Sequence, residues 1–421
     1  MTEHPQRANP VGNVSADVRM RGFTHRTTVE MAWQWIDARG RTLEEEPVGL
    51  VQAAGRVLAR DIVSDVSVPL FPRAMMDGYA VQAADTQGAA PYQRLPLQVI
   101  GELLPGVEPS QTVRPGQAIR IMTGACLPAG ADAVLPVERT ELEADQVYAL
   151  DVVTPGKNVG EIGEDIMAGQ QVLSRGRRLR PQDVGVLSSI GIGHVPVIRR
   201  PRVRIIVTGN ELLPPGSKPF GQRIVDANSP MLMALVARDG GIPIHPGLVP
   251  DRPDAIWEAF QDDADLFLVS GGSSVGQEDH APLLLAQHGE LAIHGIAMRP
   301  SSPTGIGQWN GRLVTLLPGN PVSCLCAYDF FAGRAIRTLG GRSLDWPYRR
   351  TRARLARKLV STVGRVDYAR VRWQEDRLEP LAISGASMLS STTRADGFVV
   401  IPEDSEGFPA DAEVEVFLYE S

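Results

Sequence analysis

From Arg202 onward the sequence alternates between short, continuously apolar runs and amphipathic stretches, and few architectures accept that order. "VRIIVTG", "IPIHPGLV", "DLFLVSGG" and "LVTLLPG" read as strands. "SPMLMALVARDGG", "RPDAIWEAFQDDA" and "PVSCLCAYDFFAGRAIRTLGG" read as helices, the last opening on Pro321, where a missing N–H costs nothing. Strands that are apolar on both faces and separated by helices imply a parallel sheet covered on both sides. Ligands meet such sheets at the carboxyl ends of the strands.

Three strand ends carry turns suited to a ligand. "VTGNELLPPG" puts Thr208, Gly209 and Glu211 after the first strand. "VSGGSSVGQED" puts Ser270, Gly271, Gly272 and Ser274 after another, followed by Glu278 and Asp279. "LLPGNPVS" puts Pro318, Gly319, Asn320, Pro321 and Ser323 after a third and leads into a helix whose N-terminal N–H groups face an anion. Glycines let successive N–H groups converge into a nest that binds oxyanions. Carboxylates beside such a nest would repel an anion unless a hard divalent cation lay between, so the first reading is a phosphate or oxyanion site with Mg²⁺. Each turn alone is equally readable as a plain strand-to-helix connection; three at one sheet edge make a binding crevice.

The remainder of the 421 residues reads as further domains around this sheet. The first two dozen residues form a tail. Thr27 and Glu30 make a capping box ahead of a helix, and "LVQAAGRVLARDI" from Leu50 reads as a second. From Val66 to about Val153 the texture turns to Pro, Gly and short alternating runs, a small β domain. Pro181 opens another short helix, so helical segments flank the β block on both sides and the block reads as an insertion. From about Pro347 the runs "ARVRW", "GFVVIPED" and "AEVEVFLY" imply a C-terminal β domain.

Forty-two basic against 49 acidic residues give a net charge of −7, which indicates no bulk attraction to nucleic acid or anionic membrane. An anionic substrate therefore has to be held by local donors or a metal. Three cysteines without a CxxC pair argue against a disulfide framework or structural zinc, and no run approaches the ~20 apolar residues of a membrane span. The expectation is a cytoplasmic protein. No phosphate-binding P-loop, dinucleotide fingerprint or paired metal-binding histidines occur. Asp165 and Asp251 read as solvated loop acids. "FPRAMMDGYAV" instead presents Asp77 on a partly apolar loop where its charge needs a partner, and in "RIMTGACLPAGADAV" Thr123 and its small neighbours interrupt a strand-like run.

In this order and spacing, "MMDGYAV", "RIMTGACLPAGADAV", "GEDIMAGQ", "VTGNEL", "SGGSSVGQED", "MRPSSP" and "LPGNPVS" resemble the molybdopterin molybdenumtransferase family, bacterial MoeA and the E domain of gephyrin. The resemblance implies a multidomain α/β plus β fold. Its parts are a tail over 1–23, a linking and dimerisation domain over 24–64 and 154–198, and an inserted β domain over 65–153. A three-layer, MogA-like molybdopterin-binding α/β domain over 199–346 and a β-barrel-like C-terminal domain over 347–421 follow. It implies a homodimer that inserts molybdate into adenylylated molybdopterin and releases AMP in a Mg²⁺-dependent reaction. A molybdopterin adenylyltransferase and recipient molybdoenzymes are the implied partners. Carried over by motif, the functional residues are Asp77, Thr123, Asp165, Glu211, Asp251 and Asp279, with Glu211 and Asp279 near the metal. Ser270, Gly271, Gly272, Ser274, Arg299, Pro318, Gly319, Asn320, Pro321, Ser323 and Arg365 bind substrate.

The chain departs from the family pattern at several basic positions. Arg299 keeps a positive charge, but Ser301 and Ser302 stand where the family has Gly and Lys, Gly295 replaces a basic residue, and Gly160 stands where Arg is common. Ala386 occupies a frequent serine position. Fewer cations weaken anion binding. An active transferase, a weakened paralogue that carries molybdopterin or aids its insertion into a molybdoenzyme, and a nucleotide-processing enzyme on the same α/β domain all remain open on the sequence. The complete acidic set favours the first.

Overall fold

The computed structural model describes residues 26–261, 263–272, 280–382 and 385–419. Ser274, Asp279 and the tail over 1–23 lie outside the described residues. The chain divides into two compact units, Met1–Glu46 with Ile198–Ser421, and Pro47–Val197.

The first unit is built on a sheet with strand order Ile242–Ile244, Arg202–Thr208, Leu266–Ser270, Arg312–Leu317, Gly305–Trp309, Glu290–His294, with Leu248–Val249 pairing the far end of Arg202–Thr208. Because successive residues of a strand point to opposite faces, one apolar run supplies two cores. Val203, Ile205, Val207, Leu266 and Leu268 pack with the helices Val29–Arg39 and Asn228–Arg238 and with Val322, Phe330 and Ile336. Ile206, Phe267, Val269, Val314 and Leu316 pack with Pro253–Ala259 and His280–His288. This is the three-layer arrangement that the sequence calls for.

Three local expectations change. Pairing is parallel from Ile242–Ile244 across to Arg312–Leu317, but Gly305–Trp309 and Glu290–His294 add an antiparallel edge. Asn310 (φ 49°) and Gly311 (φ 74°) supply the two left-handed residues of a tight hairpin that reverses the chain there. The first helix is capped by Thr28, whose Oγ1 accepts the Met31 N–H at 3.2 Å. Thr27 instead continues the extended chain and pairs with Ile296. The helix expected from Leu50 stops at Ala53, because Gly55 turns to φ 81° and Val57 and Leu58 go into strand bridges.

The C-terminal strands Arg349–Leu355, Val366–Gln374, Arg377–Ala382, Gly397–Ile401 and Glu413–Leu418 close on themselves, since Val366–Gln374 pairs both Arg377–Ala382 and Gly397–Ile401. Closure into a barrel leaves no exposed edge for pairing with other chains. The second unit holds a six-stranded sheet ordered Ala133–Pro136, Gly78–Val81, Gln117–Ile121, Leu95–Leu103, Gln146–Ala149, Thr140–Glu143. Outside that sheet, Leu58 and Ile62 share a core with Ile166, Leu173, Leu187 and Val195 from the far side of the β block. Among the described residues, no helix is long and apolar enough to cross a membrane.

Candidate functional site

The carboxyl ends of the parallel strands frame a cavity of about 560 Å³, within the size range of small-molecule sites. Thr208 and Gly209 close one side, Ser270, Gly271 and Gly272 the next, and Pro318, Gly319, Asn320 and Pro321 the third. The three turns singled out in the sequence thus line one space. Gly271 (φ 93°) and Gly272 (φ 55°) are both left-handed, and a Cβ on Gly271 would sit 2.1 Å from the Thr208 carbonyl oxygen. A Cβ on Gly319 would stand 3.6 Å from the Gly271 Cα, so the two glycine turns lie almost backbone to backbone.

The charged side chains that line this cavity are all acidic. Glu211, Asp226 and Asp251 line it, and no Lys or Arg does so among the described residues. Glu211 is exposed and bends back over Gly209, where a Cβ would lie 2.9 Å from its Oε2. Asp251 Oδ1 accepts the Thr208 hydroxyl at 3.1 Å, so it is tied to the strand end rather than free in solvent. Asp226 is buried and accepts the Asn228 and Ser229 N–H groups at 2.8 and 3.1 Å, capping the helix that follows. These are hard oxygen donors of the kind Mg²⁺ takes, usually one or two carboxylates beside phosphate oxygens. Among the described residues no group of three or more His, Cys, Asp or Glu side chains is arranged to hold a metal on its own.

Other expected binding residues stand apart from this space. Arg299 is exposed on a short strand that pairs with Val366 and Asp367 of the barrel, and it does not line the cavity. Arg365 forks onto Asp367 at 2.8 and 3.3 Å, a fully buried carboxylate that also accepts the Ser361 hydroxyl. Ser323 is buried, and its carbonyl accepts the Ser301 hydroxyl at 2.6 Å, with Ser301 held at φ 91°. The helix opening at Pro321 offers fewer donors than its sequence implies: Pro321 has none, and the Val322 N–H goes to the Ala386 carbonyl at 2.9 Å. Beneath the Ser270 turn, Cys324 is fully buried, and burial pushes its thiol up to about 12, so it packs rather than reacts.

In the second unit, Asp77 and Thr123 meet, a pairing the sequence reading did not make. Asp77 Oδ1 accepts the Thr123 N–H at 2.8 Å and its hydroxyl at 2.7 Å. These two donors, the backbone N–H foremost, hold the exposed Asp77 carboxyl below its usual range. Asp165 sits on a separate loop, its N–H donating to the Val68 carbonyl at 3.1 Å and its side chain exposed. At Gly160 a Cβ would press within 2.9 Å of Glu164, which pairs with Arg73 at 2.7 Å.

Sequence reasoning missed Asp226 and Asn228. Both sit just ahead of an apolar helix, where an acidic or amide residue reads as an ordinary cap, and only tertiary convergence brings them into the cavity.

Three sequence families match successive parts of the chain: "MoeA N-terminal region (domain I and II)" over residues 27–191, "Probable molybdopterin binding domain" over 204–338, and "MoeA C-terminal region (domain IV)" over 352–419. The chain is 35% identical over 383 residues to molybdopterin molybdenumtransferase 2 of Mycobacterium tuberculosis, covering 88% of this chain and 94% of that protein. It is 31% identical over 393 residues to the Bacillus subtilis molybdopterin molybdenumtransferase, covering 89% and 90%. The crystal structure of the molybdopterin biosynthesis MoeA protein from Pyrococcus horikoshii superposes with a TM-score of 0.82 at 33% identity, covering 94% of this chain and all of that one.

Proposed function

The chain belongs to the molybdopterin molybdenumtransferase (MoeA) family of molybdenum cofactor biosynthesis, and from that premise we propose that it inserts molybdate into adenylylated molybdopterin with release of AMP. Water cleaves the phosphoanhydride, and two Mo–S bonds replace two Mo–O bonds, the displaced oxygens leaving as water. The observation that carries this reading is the cavity lined by glycine turns and by three acidic residues, with no basic side chain in its described lining. The turns of Ser270, Gly271, Gly272, Pro318, Gly319, Asn320 and Pro321 offer close backbone approach to phosphate oxygens. Mg²⁺, when bound, supplies the charge that lets carboxylates and phosphates share the space, with Glu211 and Asp279 to hold it. Asp251, steadied by Thr208, orients water or pterin. Asp77 is assigned to the molybdate and dithiolene end, and Thr123 and Asp165 are further catalytic candidates carried over by motif. Arg299, Ser323 and Arg365 supply outer contacts to substrate, and Ser274 completes the nest. The protein acts as a cytoplasmic homodimer, receives its substrate from a molybdopterin adenylyltransferase and hands the product to molybdoenzymes.

A second reading draws on the same cavity. With no basic side chain in its described lining and with Ser301 and Ser302 at family positions for Gly and Lys, the site also suits a molybdopterin carrier that does not insert metal. AMP release from adenylylated molybdopterin, followed with and without molybdate and Mg²⁺ and beside Glu211→Gln and Asp279→Ala variants, separates the two. Release that needs both additions and collapses in the variants is expected. Tight pterin binding without AMP release would leave the carrier.

A further inference from the structure

The Gly271–Gly272 and Gly319–Asn320 turns follow two adjacent parallel strands whose last paired residues are Ser270 and Leu317. Beyond that pair, no backbone hydrogen bond joins the turns among the described residues. Glycines at their bends make each one pliant. Something else has to set their spacing, and one side chain reaches both.

Asn228 heads the helix Asn228–Arg238 and is 7% exposed. Its Nδ2 donates to Ser270 Oγ at 2.9 Å and to the Gly319 carbonyl at 2.7 Å. A carbonyl partner requires an N–H, so the amide orientation is fixed by chemistry. The residue is itself anchored, since its backbone N–H donates to Asp226 Oδ1 at 2.8 Å. Its Oδ1 is buried and has no partner among the described residues, which is unusual for an asparagine present only to complete a fold. Asn228 also lines the cavity.

We propose that Asn228 is the positioning residue of this cavity: its side-chain amide clamps the two glycine turns at the separation that fits the phosphates of the substrate, and its unmet Oδ1 is kept for a donor on the bound molecule. The proposal rests on the adenylylated molybdopterin reading above. Side chains other than an amide cannot do both tasks. An aspartate in its place would keep the Ser270 link, because the hydroxyl can reverse and donate, but would set oxygen against oxygen at Gly319. Alanine would remove both links.

The test is steady-state AMP release by the full-length Asn228→Asp and Asn228→Ala proteins, with thermal midpoints measured alongside. Both variants are expected to raise the KM for adenylylated molybdopterin about tenfold, ~1.4 kcal/mol of binding, at temperatures far below unfolding and with kcat changed less than about threefold. The near-isosteric Asp variant should show the KM effect with a midpoint close to that of the parent. Unchanged KM in folded Asn228→Ala overturns the proposal, as does a loss that follows the midpoint and is reversed by a stabilising osmolyte, since that would be a structural role alone. A parent protein that neither binds the substrate nor releases AMP would instead overturn the functional reading, and this proposal with it.

Discussion

Two groups of carboxylates in the same unit are handled in opposite ways. Asp239 and Asp329 are fully buried and answered by the protein itself. Asp239 takes Arg337 at 2.8 Å, Arg238 at 2.9 Å and the Tyr328 hydroxyl at 2.9 Å, while Asp329 takes Arg238 at 2.9 Å and the Tyr348 hydroxyl at 3.0 Å. Burial still pushes the Asp329 carboxyl up in spite of Arg238. Around the cavity, Asp226 accepts from backbone N–H groups and Asp251 from a hydroxyl, and no arginine or lysine joins them and Glu211 in its lining among the described residues. The difference separates charge that the protein pairs with its own arginines from charge that lines a glycine-walled cavity with no basic side chain in its described lining.

The largest effect expected from this contrast is on stability. Arg337→Met removes one of the two arginines on the buried Asp239 carboxylate, leaving Arg238 and the Tyr328 hydroxyl, and should lower unfolding stability by about 1.5–3 kcal/mol in a denaturant titration. Glu211→Gln should shift the same titration by no more than ~0.5 kcal/mol. A small loss in Arg337→Met together with a large one in Glu211→Gln would break the comparison, since the cavity acids would then be structural.

Next in size is activity. Glu211→Gln should lower AMP release about a hundredfold, the scale of losing a proton-handling or metal-holding group. Added Mg²⁺ should recover part of that loss, because a weakened metal site responds to metal concentration. Arg337→Met, assayed where it remains folded, should retain most of its activity.

The glycine turns sharpen the contrast at finer scale. Ala at Gly272 meets nothing closer than 3.5 Å, so it bears only the cost of a left-handed backbone at φ 55°, about 1–2 kcal/mol. Ala at Gly271 adds a 2.1 Å clash with the Thr208 carbonyl and should cost more, with substrate binding lost as the turn shifts. Equal penalties in the two variants, read from thermal midpoints, would show that the turn adapts and that the close backbone approach is not a fixed feature.

Much of this site could be read from the sequence because its parts are local. Gly271, Gly272 and Gly319 stand directly after apolar strands, and Glu211 follows one too, so strand, turn and acid are contiguous in the chain. The buried ion network is not contiguous: Asp239, Asp329, Arg238 and Arg337 come from two helical regions nearly a hundred residues apart, and the π-helical turn Tyr328–Ala332 that carries Asp329 has no sequence pattern of its own. Asn228 escaped for the same reason, since its two partners belong to other strand ends. The antiparallel edge was legible in principle at Asn310-Gly311, a strong hairpin signal, but the alternation of strands and helices around it spoke for parallel pairing. Leu50 failed differently: a helical apolar period over "LVQAAGRVLARDI" was overridden by the turn at Gly55 and the strand partners of Val57 and Leu58.

Asp77 is a third case, and the smallest predicted effect tests it. Two donors from Thr123 hold its charge, and Arg120 adds a weaker attraction. Thr123→Val removes the hydroxyl and leaves the backbone N–H, which is the stronger of the two, so the Asp77 pKa should rise only part of the way toward an ordinary carboxyl. A carboxyl carbon NMR titration reads this directly. The sign for stability follows: a depressed folded pKa contributes stability above the unfolded value and loses it as pH falls through the folded one. Thr123→Val should therefore narrow that acid window and remove a small part of the contribution that is present at neutral pH. If Asp77 acts on molybdate as a carboxylate, the acid limb of the pH–rate profile should move upward with its pKa. An acid limb that stays in place while the NMR pKa moves would remove Asp77 from the reaction and leave Thr123 as a local cap for the strand turn at Gly124.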